Sequence, residues 1–261
     1  MTLEPIQYLL GAFSGALVGF VLGLVGGGGS ILAVPLMVYL VQVRDPHVAI
    51  GTSALAVAAN AALGLVGHHR IGNVKWRCAL LFAISGIAGA AIGSTLGKAF
   101  DGQKLLFLFA LVMIVVGVLM LRRRSHAGDA SVRLGRENAG KLALFGFGTG
   151  LFSGFFGIGG GFLIVPGLIA ATGMTMINAV GSSLVAVTAF GLTTAANYAI
   201  SGLVDWPLAA LFIAGGFIGS LGGTRAAGAL SSKGHLTTVF AALIFVVAAY
   251  MLWKSAPGLG L

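Results

Sequence analysis

Apolar residues fall in ten blocks along the chain, at about 7–25, 30–42, 48–67, 78–97, 104–121, 142–156, 161–172, 178–200, 206–224 and 236–253. Within a block the apolar run is continuous, whereas membrane barrel strands alternate over about 10 residues, so the pattern predicts helices. A helix needs about 20 residues to cross about 30 Å of hydrocarbon. Six blocks meet or approach that length as plain helices: 48–67, 78–97, 104–121, 178–200, 206–224 and 236–253. The blocks at 30–42 and 161–172 are too short to cross, and each follows a run of glycines. The expectation is an all-α polytopic membrane protein with two unusual segments, 7–42 and 142–172, that turn at glycine.

The sequence is doubled. Gly26-Gly27-Gly28-Gly29-Ser30-Ile31-Leu32-Ala33-Val34-Pro35 matches Gly157-Ile158-Gly159-Gly160-Gly161-Phe162-Leu163-Ile164-Val165-Pro166, 131 residues later. Gly51-Thr52-Ser53 then matches Gly181-Ser182-Ser183, and Gly72, Val74 and Trp76 match Gly202, Val204 and Trp206, at an offset of 130. Gly86, Gly89 and Gly93 match Gly216, Gly219 and Gly223 at the same offset. A nearly constant offset over such a length means two halves of one design rather than the short period of a solenoid. The halves are read as 1–121 and 141–261, joined by a polar linker at 122–140.

Composition agrees with lipid as the main solvent. The chain is 58% hydrophobic and 8% charged, against about 25% charged in a soluble domain, with a mean hydropathy of +1.04. That excludes an ordinary soluble enzyme and a disordered chain. The 43 glycines show no Gly-X-Y period, which excludes collagen. Nucleic-acid binding does not follow from the +9 net charge, because the bases lie between apolar blocks, where cytoplasmic loops collect them. The single cysteine, Cys78, forms no intrachain disulfide. Met1–Gln7 carries Glu4 and no Lys or Arg, a poor start for a cleaved signal peptide, so the first block is expected to stay.

Charge also predicts orientation. The loop His68-His69-Arg70…Lys75-Trp76-Arg77 is basic, while its counterpart Ser201-Gly202-Leu203-Val204-Asp205 holds one acid and no base. Under the positive-inside rule the two equivalent loops lie on opposite sides, which makes the halves inverted repeats. With 68–77, 122–141 and 225–235 inside, the cytoplasmic side holds eleven of the fifteen bases and two of the six acids, and both termini face out. Parallel halves are the rival, and they would put basic and acidic loops on one face. Inversion requires 7–42 and 142–172 to make an even number of crossings each. The expected half is thus a Gly-broken helical hairpin plus three spanning helices.

A Gly-rich break inside the bilayer leaves free N–H groups at the start of the next helix, and with the helix dipole these favour an anion. Non-helical backbone at that depth is tolerated only where protein or water covers it. The candidate substrate site is Gly27, Gly28, Gly29 and Ser30 in the first half with Gly159, Gly160 and Gly161 in the second; no Lys follows either run, so neither is a P-loop. Thr52, Ser53, Ser182 and Ser183 add hydroxyls near the start of the next block, with helix capping as the plain alternative. The glycines have a plain reading too, close helix packing. Asn60 and Asn197 are polar groups within apolar blocks, read first as helix–helix hydrogen bonds. No acid and no histidine lies in the middle of a block, so a buried proton relay is not expected. His68, His69 and Arg70 read as a membrane-surface anchor. No catalytic residue, metal site or cofactor is indicated, since HExxH, GxSxG and metal-spaced His/Cys clusters are lacking in the sequence.

The segments GLVGGGGSILAVP at 23–35 and GFFGIGGGFLIVP at 154–166, with GTS at 51–53, HHRIGNVKWR at 68–77 and GSS at 181–183, resemble the sulfite exporter TauE/SafE family of membrane permeases. The resemblance covers nearly the whole chain in two copies. It implies export of sulfite, sulfoacetate or a related small organosulfonate across the cell (inner) membrane. The partners expected are that small anion and the lipid bilayer, with no nucleic acid. A passive anion channel and a non-transporting membrane scaffold are the alternatives.

Overall fold

The structure is a computed structural model that describes residues 4–122, 128–129, 131–157, 161–232 and 236–255. The described residues are helical apart from short turns and one bridge between Asp129 and Met174. In the first half, α1 (Pro5–Val25) is followed by a 3-10 stretch (Gly26–Leu32), one α turn, α2 (Ala33–Pro35), and a π turn (Leu36–Leu40). Then come α3 (Pro46–Arg70), α4 (Trp76–Lys98) and α5 (Gly102–Arg122). The second half runs α6 (Arg136–Phe156), α7 (Gly161–Thr172), α8 (Met176–Ile200), α9 (Trp206–Ser232) and α10 (Leu236–Ser255). Among the described residues, six helices are long and apolar enough to cross a membrane: α1, α3, α4, α6, α8 and Trp206–Ala226 of α9. The protein is a multi-pass membrane protein.

The plain blocks became helices nearly as drawn. The larger difference lies before the glycine runs. Block 142–156 is extended by the polar start Arg136–Lys141 into a 21-residue helix, about 31 Å long. Its N-terminus is a capping arrangement in which the Asn138 side chain accepts from the Gly135 amide at 2.9 Å and donates to the Arg133 carbonyl.

Each glycine segment is a hairpin that returns to the face it left. Gln7, at the start of α1, donates from Nε2 to the Val41 carbonyl at 2.9 Å. In the second half the turn after α7 is back beside the linker, where the Asp129 amide donates to the Gly173 carbonyl at 2.8 Å. Small residues allow the tight packing behind this. A Cβ on Gly15, Gly19 or Gly23 of α1 would run into the backbone of α9 at Phe212, Gly216 or Ser220. Residue numbers rise together, so α1 and α9 run parallel in close backbone contact. Gly89, Gly93 and Gly97 of α4 meet Phe147, Leu151 and Phe155 of α6 in the same way. The first helix of each half therefore packs on the other half, and the two interlock.

Helices α3 and α8 form the centre and pass antiparallel: Gly51 lies at Tyr198 and Leu203, and Gly64 at Leu184. Two faces result. One gathers Glu4, Arg44, Asp45, Lys98, Asp101 and Asp205, tied by Lys98 donating to Asn197 and Ser201 and by the Asp205 amide donating to Thr52. The other gathers Arg70, Lys75, Arg77, Asp129, Arg133, Arg136 and Glu137 around the α3–α4 turn and the linker. Asp129 sits there with its carboxyl held below the usual carboxylate range by the Ser131 hydroxyl, then the Ser131 amide, with the Lys75 charge adding to both.

Candidate functional site

The breaks are built by backbone that only glycine tolerates. Gly26 ends α1 at φ +66°, ψ −143°, and Gly157 ends α6 in the left-handed region at φ +68°, ψ 20°. A side chain at either position meets a strained φ. It would also meet a neighbour, because a Cβ on Gly26 lies 2.6 Å from the Val180 carbonyl and one on Gly157 strikes Ile50. Val180 and Ile50 are themselves equivalent positions of α8 and α3, so each break is seated at the start of the other half's central helix.

The two breaks meet. A Cβ on Gly161 would overlap the Gly27 carbonyl, and one on Gly27 would stand 2.7 Å from the Gly161 Cα. Around that contact the hydroxyls and amides form a chain. The Gly27 N–H donates to Ser183 Oγ at 3.0 Å, Ser183 Oγ donates to the Val180 carbonyl at 2.8 Å, Ser30 Oγ donates to the Gly27 carbonyl at 2.8 Å, and the Gly161 N–H donates to Ser30 Oγ at 3.3 Å. Ser30 and Ser183 are wholly buried. Gly27, Ser30, Gly161 and Ser183 are thus brought together, with Gly28 and Gly29 in the same 3-10 stretch and Gly29 packed on Val21 and Leu22 of α1. Gly159 and Gly160 lie outside the described residues.

The other hydroxyls divide. Ser53 donates to the Ile50 carbonyl at 3.0 Å. Its counterpart Ser183 receives Gly27, and the residue equivalent to Gly27 is Ile158, outside the described residues. Thr52 and Ser182 do not join the breaks. Thr52 Oγ1 accepts the Asp205 N–H and Ser182 Oγ accepts the Lys75 N–H, both at 2.9 Å. Positions 75 and 205 are equivalent, so the same staple is made twice, once on each face. Each satisfies a donor just ahead of a helix start, where N–H groups lack helical partners.

Two readings from the sequence change. His68 is no surface anchor: it is wholly buried, with Nε2 at 3.2 Å from the Gly23 carbonyl and Nδ1 at 3.4 Å from Asn73. The helix α3 runs on past the block that predicted its end, and its last turn tucks under the end of α1. His69 stays on the surface, accepting from Trp76 Nε1 at 3.1 Å. The two asparagines also part company. Asn197 is a helix–helix tie, donating to Ser94 and Thr95 of α4 and accepting from Lys98. Asn60 is wholly buried against Gly216, and neither Nδ2 nor Oδ1 has a hydrogen-bond partner among the described residues.

A family model described as "Sulfite exporter TauE/SafE" matches residues 11–251. The chain belongs to the sulfite exporter TauE/SafE family. A "Probable membrane transporter protein" of Xylella fastidiosa (strain 9a5c) is 51% identical over 261 residues, covering 98% of each chain. "Probable membrane transporter protein YunE" of Bacillus subtilis is 28% identical over 226 residues, 78% of this chain and 83% of its own. A relative from Methanocaldococcus jannaschii, "Probable membrane transporter protein MJ0441", is 26% identical over 163 residues, 59% of this chain and 60% of its own. No solved structure matches. The family is one of membrane transporters, so the paired breaks lie in a protein of a membrane transporter family.

Proposed function

We propose that this TauE/SafE protein exports a small sulfur-containing anion, sulfite, sulfoacetate or a related organosulfonate, across the cell (inner) membrane. Its halves, 1–121 and 141–261, act as inverted-topology repeats joined by a cytoplasmic linker at 122–140, with both termini outside. The antiparallel passage of the equivalent helices α3 and α8 supports inversion, and the gathering of bases at the α3–α4 turn and linker supports that face as cytoplasmic. The observation that carries the reading is the meeting of Gly27 with Gly161 inside the protein. There two break amides already point at oxygen acceptors, Ser183 Oγ and Ser30 Oγ. When one half moves against the other, those amides and hydroxyls are released together, and oxyanion oxygens take the acceptor positions. Gly27, Gly28, Gly29, Ser30, Ser53, Gly159, Gly160, Gly161 and Ser183 form the site in this reading, with Thr52 and Ser182 holding the helix starts beside it.

Uptake of labelled sulfite or sulfoacetate into proteoliposomes tests this. Flux is expected in the native protein and is lost in Gly28→Leu and Gly159→Leu with insertion intact; no flux across that substrate set ends the proposal. One observation favours the scaffold alternative: the Ser30, Ser53 and Ser183 hydroxyls each donate to a carbonyl of the protein. A scaffold shows no thermal shift with any anion, whereas a ligand that binds only the folded state raises apparent stability. Single-channel conductance would mark the passive channel.

A further inference from the structure

The two faces carry matched cavities whose chemistry is opposite. On one face a cavity of about 710 Å³ is lined by the turn residues Val74–Cys78 and the linker residues Ser131–Leu134. On the other, a cavity of about 690 Å³ is lined by Val204–Pro207 with Glu4, Gln7 and Arg44 among others. Positions 74–77 and 204–207 are equivalent in the repeat, so these are the same mouth made twice. The residues at equivalent places differ in sign: Lys75 stands where Asp205 stands, and Arg77 where Pro207 stands. The linker adds Arg133 and the Ser131 hydroxyl to the first cavity, while the α1 start adds Glu4 to the second. Three cations and no carboxylate line the first; two carboxylates and one cation line the second.

The turn that lines the basic cavity is tied to the central helix α8. The Lys75 N–H donates to Ser182 Oγ, and the next residue, Ser183, holds the Gly27 amide of the break. An anion drawn to Lys75, Arg77 and Arg133 is therefore gathered beside a turn bound to the helix whose Ser183 holds the Gly27 amide. Asp129 adjoins this cavity as a carboxylate that accepts from the Ser131 amide and hydroxyl, both at 2.7 Å, so three bases there face one acid and the mouth keeps a positive balance.

We propose that the cavity between the α3–α4 turn and the linker is a loading vestibule that binds free oxyanions of the sulfonate or sulfite type before they reach the breaks. The asymmetry of the two mouths then makes capture one-sided: the basic mouth concentrates the anion and the mixed mouth lets it go, as a cleft of one charge sign concentrates its counter-ion. This rests on the transport reading above, so the test separates the two.

Trp76 lines the vestibule and reports on it. The chain has three tryptophans, so a Trp206→Phe, Trp253→Phe background leaves Trp76 as the lone indole. Sulfoacetate and sulfite are titrated into that protein in uncharged detergent, and again in nanodiscs with and without phosphatidylglycerol. The expected result is a saturable change in Trp76 emission with the free anion, weakened about tenfold or more by Arg77→Gln with Arg133→Gln and kept by Arg133→Lys. Asp205→Asn, at the mirror mouth, is expected to leave it unchanged. In flux assays the double variant raises KM with little change in kcat, the sign of lost capture rather than lost passage. A flat titration, one indifferent to the double variant, or a response to phosphatidylglycerol alone overturns the vestibule. If Trp76 titrates while native flux is nil, the transport reading falls and the vestibule stands; if flux is present while the titration is flat, the reverse holds.

Discussion

Positions 60 and 190 are equivalent in the two halves and do equivalent jobs with different chemistry. Each lies on a central helix and presses on the glycine where two neighbouring helices touch: Asn60 on Gly216, Phe190 on Gly86. Phe190 is wholly buried and stacks on Phe82 with ring centroids 6.3 Å apart. Asn60 fills the same place with an amide that has no hydrogen-bond partner among the described residues. One half is closed by an aromatic plug, and the other by a polar group that stays there at a cost, since an unmatched buried amide is worth about 1–3 kcal/mol of lost stability. The seams themselves are alike, so the difference teaches that the doubled backbone is kept while the two halves are tuned separately. The α1–α9 side thus carries an unmatched amide that the α4–α6 side does not.

The largest effect expected from this comparison is at the contact the halves share. Gly161→Leu inserts a side chain into the Gly27 carbonyl, where backbone and not a flexible side-chain end is the obstacle. Loss of transport is expected with insertion intact, measured as proteoliposome flux against the native protein. Retained flux would mean that the breaks separate freely and that the contact is incidental. Phe190→Ala comes next, at about 3–5 kcal/mol destabilising, from the lost aromatic and the cavity left beside Phe82. Reversible unfolding in detergent measures it. Asn60→Leu keeps the branching and removes the unpaired amide, so a gain of about 1–3 kcal/mol is expected in the same assay. A loss instead would show that the amide has a partner and that the two plugs are equally secure.

The staples sharpen the same comparison at smaller cost. Thr52→Val and Ser182→Ala each remove the acceptor for one amide, that of Asp205 or of Lys75. About 1–2 kcal/mol is expected from each, near the low end for an unmet buried donor because both sites sit close to a face. Near-equal values are the prediction. A large inequality would mean that the doubled sequence does not carry doubled energetics.

The features legible in the sequence were those written in spacing. The offset between Gly26 and Gly157 announced two copies, and the glycine runs announced hairpins because no 12-residue helix crosses a bilayer. The split between loop 68–77 and loop 201–205 announced two differently charged faces. Partner identity was not legible, because it depends on which helices touch. Nothing in the spacing of Gly15 and Gly19 names α9 as their partner. The apolar pattern stopped α3 short of His68, whose burial comes from a carbonyl contributed by the end of α1. Asn60 and Asn197 are alike as letters, and only packing gives Asn197 a lysine and two hydroxyls and leaves Asn60 with no partner among the described residues. The α6 start was hidden for another reason: Arg136–Lys141 is polar, and hydrophobicity marks the part of a helix in lipid rather than the whole helix.

The smallest effect tests whether the glycines of the second half are all there for contact. Gly148 and Gly150 lie two residues apart on α6. A Cβ on Gly150 would strike the Gly86 carbonyl, whereas one on Gly148 meets nothing within 4 Å. The position equivalent to Gly148 in α1 is Leu17, which is 39% exposed on the outer surface. Half one therefore already shows that this position accepts a side chain. A glycine in a helix without a packing reason costs conformational entropy that alanine does not, so Gly148→Ala is expected to stabilise by about 0.4–1 kcal/mol. Gly150→Ala should destabilise, because α4 and α6 must part to admit the methyl. If both stabilise, the close α4–α6 seam is not under the constraint its glycines imply, and its likeness to the α1–α9 seam ends at sequence. If both destabilise, Gly148 faces a neighbour that the chain alone lacks, such as a second copy in the bilayer. A drop in oligomer size for Gly148→Ala, read by light scattering in detergent, would then distinguish that contact from an internal one.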